Sequence, residues 1–475
     1  MQVTKTLIAA AGNAGGASGA LYSLSDSTKV TTNFIVNQVR IDPSDNIAFQ
    51  VESRNSVYVP GYTPGYGKID QDGNQLFYKE FYSTDTTDGY TTSQYGMDVD
   101  SSGTIHALIK FLNIFGTGSV IFSGSTGNYL PSTLYRNTTS NNQVKGVVSC
   151  PADSAMFACL KTGGTPYTGY VKYLASGDPG NNFIGSKAWA QSSLEAYGPP
   201  TIFPVIPSWL AFNFISPYAS RQGVLVGWTG SGSSPGYAKS FDTTDSAFTI
   251  ERIYPFVTIG APHDVNVSYH FCSSRDYSSG TLTSANVCLL RTDSFYSSSD
   301  LLNIYGRFAA TGENNNCTMI GFVGDTVTGN EYMYAVLYYY DNVKALTCAA
   351  ILCFDSSTAA LVNQVRISAS GTSQNVFAQG QPVIDSEGNV YFCVQGQTLR
   401  STESSIIKLP PGLEISDTTA SIFDIEVMNE FALQGQDSIA NFYSFTLGTG
   451  GQSISSSGGT QSQASKTLSV TKDTI

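Results

Sequence analysis

Histidine and charge are both scarce in this chain of 475 residues. His106, His263 and His270 are its only imidazoles, and Asp, Glu, Lys and Arg together make up 13%. Three dispersed histidines and the lack of any C-x-x-C pair leave no clustered donors for zinc, and no metal or other cofactor is expected. Basic residues are outnumbered 24 to 36, for a formal net charge of -12, and none form a stripe, which excludes nucleic acid as a partner. No window approaches the ~18 consecutive apolar residues of a membrane span, so membrane insertion is not expected. The apolar run after Lys5 breaks at Gly12-Asn13, short of the ~7 residues of a secretion signal, and no cleaved signal is expected. Nor does any window hold apolar residues at three- and four-residue spacing for three turns, so helix content should be very low.

What the chain does contain is 28 Tyr, 26 Phe and 46 Gly, the balance of a β-rich protein with many turns. The stretch Val383-Ile384-Asp385-Ser386-Glu387-Gly388-Asn389-Val390-Tyr391-Phe392-Cys393-Val394 shows how they combine. Asp385 and Ser386 can bond the backbone of their own turn, and Gly388 and Asn389 tolerate a left-handed φ, so it reads as a β-hairpin. Val390 to Val394 is too continuously apolar for a surface strand and suits one covered on both faces. Related copies stand at Ile41–Phe49 and Val99–Leu108, and a second hairpin type runs through Lys68-Ile69-Asp70-Gln71-Asp72-Gly73-Asn74 into Phe77.

Taking Ile41, Val99, Val148, Leu210, Val267, Ile320 and Ile384 as landmarks, the steps are 58, 49, 62, 57, 53 and 64 residues. A period near fifty with four strands per unit predicts an all-β chain folded as a single β-propeller of about seven four-stranded blades. Each such sheet has two apolar faces, which packing in a ring covers while leaving only short edges. The alternative is a pair of β-sandwich domains. Residues 1–36 are expected to form an N-terminal hairpin completing the ring, 37–447 the propeller, and 448–475, rich in Gly, Ser, Gln and Thr, a flexible tail or linker ending in a short docking strand near Leu468-Ser469-Val470.

The eight cysteines lie mostly in apolar, strand-like runs such as Ala350-Ile351-Leu352-Cys353-Phe354 and read as buried free thiols. The sequons at Asn137, Asn266 and Asn316 are then chance matches. No residue is expected to be catalytic, cofactor-binding or metal-ligating. No Gly-x-Ser-x-Gly pentad stands on a strand-to-helix turn, and no phosphate loop ends in Gly-Lys-Ser or Gly-Lys-Thr. The carboxylate pairs Asp70 with Asp72 and Asp98 with Asp100 read as turn-makers rather than calcium or glycosidase groups. The aromatic stretches Tyr58–Tyr66 and Tyr338-Tyr339-Tyr340 are candidates for stacking on sugars, with edge packing as the plainer reading. Arg40 and Arg366 share the local sequence Asn-Gln-Val-Arg-Ile, which is expected to mark equivalent strands.

The paired hairpins at Lys68–Asn74 and Ile384–Tyr391 resemble the repeats of β-propeller proteins among bacteriophage structural and tail proteins, over Asn37 to Glu426. The final strand departs from such repeats in having Phe77 where a Trp often stands. The resemblance implies a non-enzymatic virion protein of a tail or appendage. Its partners would be other virion proteins and a host-surface glycan, with homo-oligomerisation in the assembly. The alternative is a glycan-binding or glycan-hydrolysing propeller enzyme.

Overall fold

The computed structural model describes residues 19–26, 34–54, 62–83, 90–111, 116–122, 125–130, 317–325, 328–329, 331–371, 373–397, 402–435 and 461–475. It also describes the backbone of the strands between 135 and 310 and between 439 and 456. Side chains are described chiefly in 34–52, 64–80, 97–107 and 317–431.

Two apolar strands joined by an Asp-led turn are the local unit. Asn375–Ile384 pairs antiparallel with Val390–Gln397, Ile384 facing Val390 across the turn that begins at Asp385. Among the described residues the strands form seven antiparallel meanders. Their first strands are Phe34–Ile41, Tyr90–Val99, Gln143–Cys150, Thr201–Phe203, Val257–Gly260, Cys317–Gly324 and Asn375–Ile384. Each first strand lies beside the next in chain order, and Asn375–Ile384 lies beside Phe34–Ile41. That order is a ring, so the chain is a seven-bladed β-propeller and not two sandwiches. Five landmarks fall on first strands, whereas Leu210 and Val267 fall on the second strands Ile206–Ile215 and Val267–Ser278, which accounts for part of the uneven spacing.

The inner strands are bent around the axis. In six of them the ladder to the second strand slips register, for example between Val36 and Gln38, Met319 and Gly321, and Gln379 and Val383. A bulge adds twist and curvature at the point where neighbouring blades converge. The cores lie between blades. One cluster joins the sixth and seventh blades through Val336, Ile351, Val376, Phe392 and Ile407, and another joins the seventh to the first through Tyr22, Val39, Phe49, Tyr391 and Cys393. Cys317, Cys348, Cys353 and Cys393 are buried and unbridged. Burial pushes the Cys348 thiol up to about 12, and Cys353 and Cys393 also stand above the ordinary thiol range because they are desolvated. These cysteines should stay unlabelled by a thiol reagent at neutral pH in the native protein and label on unfolding, since only the thiolate reacts; native labelling found by peptide mapping would contradict their placement.

The chain start completes the ring as expected, but not as a hairpin: among the described residues Ala20–Ser25 and Phe34–Ile41 do not pair with each other. Ala20–Ser25 pairs antiparallel with Thr402–Leu409 as the fourth strand of the seventh blade, while Phe34–Ile41 opens the first blade. Leu21 and Tyr22 are fully buried, and a lone two-stranded hairpin cannot cover both faces of such a strand.

The tail ends in a docking strand as expected, Ser469–Thr474, but the described stretches before it are paired strands and not a free linker. After the seventh blade the chain runs back around the ring in reverse order, adding an outer strand to the sixth, fifth, fourth, third, first and seventh blades. Phe423–Val427 joins the sixth blade, Phe431–Gly435 the fifth, Ile439–Ser444 the fourth and Thr449–Gly450 the third. Ser455–Ser456 then pairs with Tyr135–Arg136, which follows the second blade, Gln461–Ser465 joins the first blade, and Ser469–Thr474 pairs with Ala20–Ser25 in the seventh. The connections are three or four residues long. Sheet twist makes this path short. At ~20–25° per strand, four steps outward turn the strand direction by roughly 80–100°, so the fifth strand lies nearly along the circumference and leads directly to the next blade. A strand at this outer position pairs through its backbone and needs few apolar side chains, so its Gly, Ser and Gln composition resembles that of a linker.

Candidate functional site

The residues with potential chemistry fall into two groups, the Asp-led turns and the outer edge of the sixth blade. In each turn one aspartate gathers the backbone donors. Asp70 accepts from Asp72 N (2.9 Å), Asn74 N (2.8 Å) and Asn74 Nδ2 (2.8 Å). Desolvation would raise its carboxyl, but the bonds from Asn74, Asp72 and Gly73 hold it below the usual range. Asp72 points to solvent, 85% exposed, and lies 3.6 Å from Lys472. Asp98 pairs with Arg40 at 3.0 Å, and Asp100 accepts from Ser102 N, Thr104 N and His106 Nε2. Burial of Asp100 works upward, yet His106, Ser102 and Thr104 depress its carboxyl well below the ordinary value. Asp42 is likewise lowered against its burial by Lys68, which donates to Asp42 Oδ2 (2.8 Å) and to Gly103 O (2.6 Å) and so ties the first blade to the second. The paired carboxylates therefore serve as turn caps and ion-pair partners. Among the described residues no group of three His, Cys, Asp or Glu could hold a metal ion.

Where the seventh blade meets the first, these turns interlock around Gln71. Its backbone oxygen accepts from Tyr22 Oη (2.9 Å) and Lys472 Nζ (2.8 Å), and its Oε1 accepts from Lys408 Nζ (3.1 Å). Tyr391 Oη lies 2.9 Å from Gln71 Oε1 and 2.8 Å from Asp385 Oδ2, and Ser386 N donates to Asp45 Oδ1 (3.1 Å). Burial, reinforced by Asp72, Asp385 and Asp70, pushes the Tyr22 phenol up to about 12. Asp385 is 3% exposed and takes bonds from Glu387 N, Asn389 N and Asn389 Nδ2. Asp385→Ala should cost about 2–3 kcal/mol, because at ~1 kcal/mol per bond it removes several and leaves buried donors unsatisfied. A melting shift no larger than that of a surface control such as Glu387→Ala would show that the turn holds without its cap.

On the outer edge of the sixth blade, Arg366 is the centre. It pairs with Asp341 (2.7 Å), with Glu426 (3.0 Å) and with Glu430, while Lys344 bonds Glu426 (2.7 Å) and Tyr339 donates to Glu430 (2.7 Å). Glu426 and Glu430 belong to the returning segment, so the network fastens its first turn to the blade. Gln364 adds a second attachment. Its Oε1 accepts from Phe431 N (2.8 Å) and Glu430 N (3.1 Å), and its Nε2 donates to Phe431 O (2.9 Å).

The expectation that Arg40 and Arg366 mark equivalent strands is wrong. Arg40 stands on the innermost strand of the first blade and Arg366 on the fourth strand, Leu361–Ala369, of the sixth. The shared pattern encodes an extended strand with alternating faces, not a place in the meander. Tyr338–Tyr340 do not form an aromatic platform: Tyr339 is fully buried, Tyr338 meets Phe377 edge-on at 5.2 Å, and Tyr340 is exposed. Of the Tyr58–Tyr66 loop, residues 58–61 lie outside the described residues, and Tyr66 is fully buried. Sequence reasoning missed Gln71, Gln75, Gln364, Glu426 and Glu430. A signal for the returning segment was present, since apolar residues recur eight apart at Phe423, Phe431, Ile439 and Leu447.

No family model and no curated protein matches the chain. It is similar in structure to the polysaccharide lyase Uly1, with a TM-score of 0.47 and 10% identity over 79% of this chain and 90% of that one. The Dos1 propeller follows at 0.43 and 11%, covering 81% and 95%, and the phage phi92 endosialidase at 0.44 and 10%, covering 85% and 70%. At such scores the propeller assignment stands on this chain's own strand pairing.

Proposed function

We propose that the protein is a non-enzymatic structural component of a bacteriophage virion, at the tail or another surface appendage. In this reading the ring is a rigid platform whose loop faces contact other virion subunits, further copies of the chain or a host-surface glycan. The observation that carries it is the returning C-terminal segment, which pairs along blade after blade and covers outer-edge backbone that would otherwise recruit stray strands. A disc tied around its rim suits a part that bears load in an assembly, and contacts are then left to the loops at its two ends. The repeats around Asp70 and Asp385, similar to those of phage propeller proteins, support the same reading.

The test is mass spectrometry of purified particles from the source culture, together with incubation of the recombinant protein on host polysaccharide. Stoichiometric presence in particles without sugar release is the expected result. Absence from particles together with release of reducing sugar would replace this reading with a glycan-hydrolysing propeller.

A further inference from the structure

The returning segment crosses from blade to blade at places where its ladder is interrupted, and two of these crossings are built alike. At the first, between the sixth and fifth blades, the Gln364 carboxamide accepts from the Phe431 and Glu430 amides and donates to the Phe431 carbonyl. At the last, between the first and seventh blades, Gln75 Nε2 donates to Lys466 O (2.9 Å) while its Oε1 accepts from Leu468 N (2.7 Å). A glutamine side chain carries one amide donor pair and one carbonyl acceptor, so it stands in for the missing neighbour strand. At both crossings an apolar residue is inserted beside it. Phe431 is 1% exposed and meets Tyr339 edge-on at 5.1 Å, and Leu468 is 7% exposed within the core shared by the seventh and first blades.

We infer that the segment from Phe423 to Thr474 is a strap fastened by glutamine clasps at Gln364 and Gln75, and that it opens and closes while the blades stay folded. Two further features carry this. From Phe431 onward every described strand of the segment pairs with an earlier strand of the chain and not with another part of the segment, so the strap has no independent ladder to keep it folded once detached. The ring, in contrast, has its own closure, because Ala20–Ser25 completes the seventh blade by pairing with Thr402–Leu409. Detaching the strap breaks outer-edge hydrogen bonds and withdraws Phe423, Ile425, Met428, Phe431 and Leu468 from the margins of the cores, while nearly all the other buried residues of those clusters stay on the blade strands. Local opening of this kind needs less free energy than global unfolding.

The test is hydrogen exchange by mass spectrometry on the full-length protein and on Gln364→Met and Gln75→Met, which keep side-chain length and remove the amide. In the wild type, amides of 423–435 and 461–474 should exchange at least about a hundredfold faster than those of the second strands Tyr332–Asp341 and Val390–Gln397, which lie inside their blades, as expected of sub-global opening. Gln364→Met should speed 423–435 by about tenfold or more and Gln75→Met should do the same for 461–474, the effect of losing two or three hydrogen bonds. The second strands should not change in either variant. If strap and second strands exchange together in the wild type, or if both variants accelerate the second strands as much as the strap, the strap is an integral part of the blades and the inference is overturned. Gln75 is only half-buried, so should Gln364→Met not fold, the wild-type comparison and Gln75→Met decide.

Discussion

Arg366→Met is expected to lower stability by about 3 kcal/mol, because one guanidinium holds three carboxylates in place. The Arg366 and Asp341 side chains are 13% and 2% exposed, so this is a largely buried network. Breaking a buried pair by removing one partner costs ~3–5 kcal/mol, whereas an exposed pair is worth ~0–1. With Met at this position, Asp341, Glu426 and Glu430 would face one another with only Lys344 near Glu426 to compensate. The same network predicts a pH dependence. Burial alone would raise the Glu426 carboxyl, but bonds from Lys344 and Arg366 outweigh it and hold it below its ordinary value. A depressed folded pKa gives stability that is complete above the unfolded value of ~4.3 and is lost as pH falls through the folded one. Urea titrations from pH 7 down to 3 should therefore show the wild type weakening below about pH 4, while Arg366→Met loses that part of the slope. A variant within ~1 kcal/mol of wild type at pH 7 would mean that desolvation already cancels the network.

The second large effect is expected at the hub, where inner strands of neighbouring blades approach so closely that only glycine fits. Gly380 has φ +69°, and an added Cβ would stand 2.4 Å from the Asn37 carbonyl oxygen of the first blade. Gly321 of the sixth blade presents the same problem without the unusual φ, its Cβ falling 2.3 Å from Pro382 Cδ and 2.9 Å from Gln381 Cα. Gly380→Ala should cost about 2–5 kcal/mol, combining ~1–2 for a left-handed alanine with ~1–3 for forcing two strands apart. Gly371→Ala separates the two contributions, since its φ is +61° but nothing lies within 4 Å of the added carbon. It should cost only the ~1–2 kcal/mol of backbone strain. Equal losses at 371 and 380 in thermal unfolding would show that the blades slide apart freely and that the hub is not close-packed.

Turn chemistry was the most legible part of the chain. An Asp followed three residues later by Gly-Asn, with apolar strands on either side, specifies its own hydrogen bonds, and Asp70 and Asp385 cap their turns as that pattern implies. The ring was legible because strands apolar on both faces, such as Val390–Val394, leave few other ways of being covered. What could not be read was which strand completes which sheet. Ala20–Ser25 is adjacent in sequence to the first blade and belongs to the seventh, and Asn-Gln-Val-Arg-Ile serves once at the hub and once at the rim. The strap was hidden for a different reason. It is held chiefly through backbone groups, two glutamine side chains and the Arg366 ion pairs, and its buried apolar residues, such as Phe423, Phe431 and Leu468, are too widely spaced to give a strand's hydropathy pattern.

The pairing of Ala20–Ser25 with Thr402–Leu409 also sets a timetable for synthesis. Once made, Ala20–Ser25 has to wait until roughly 400 further residues have followed, which at ~5–20 residues per second is about 20–80 s. Throughout that interval Leu21, Tyr22 and Leu24, all buried in the finished protein, have no seventh blade to enter. A nascent chain of this design is therefore a natural client for a chaperone that holds a short apolar N-terminal strand until its partner arrives.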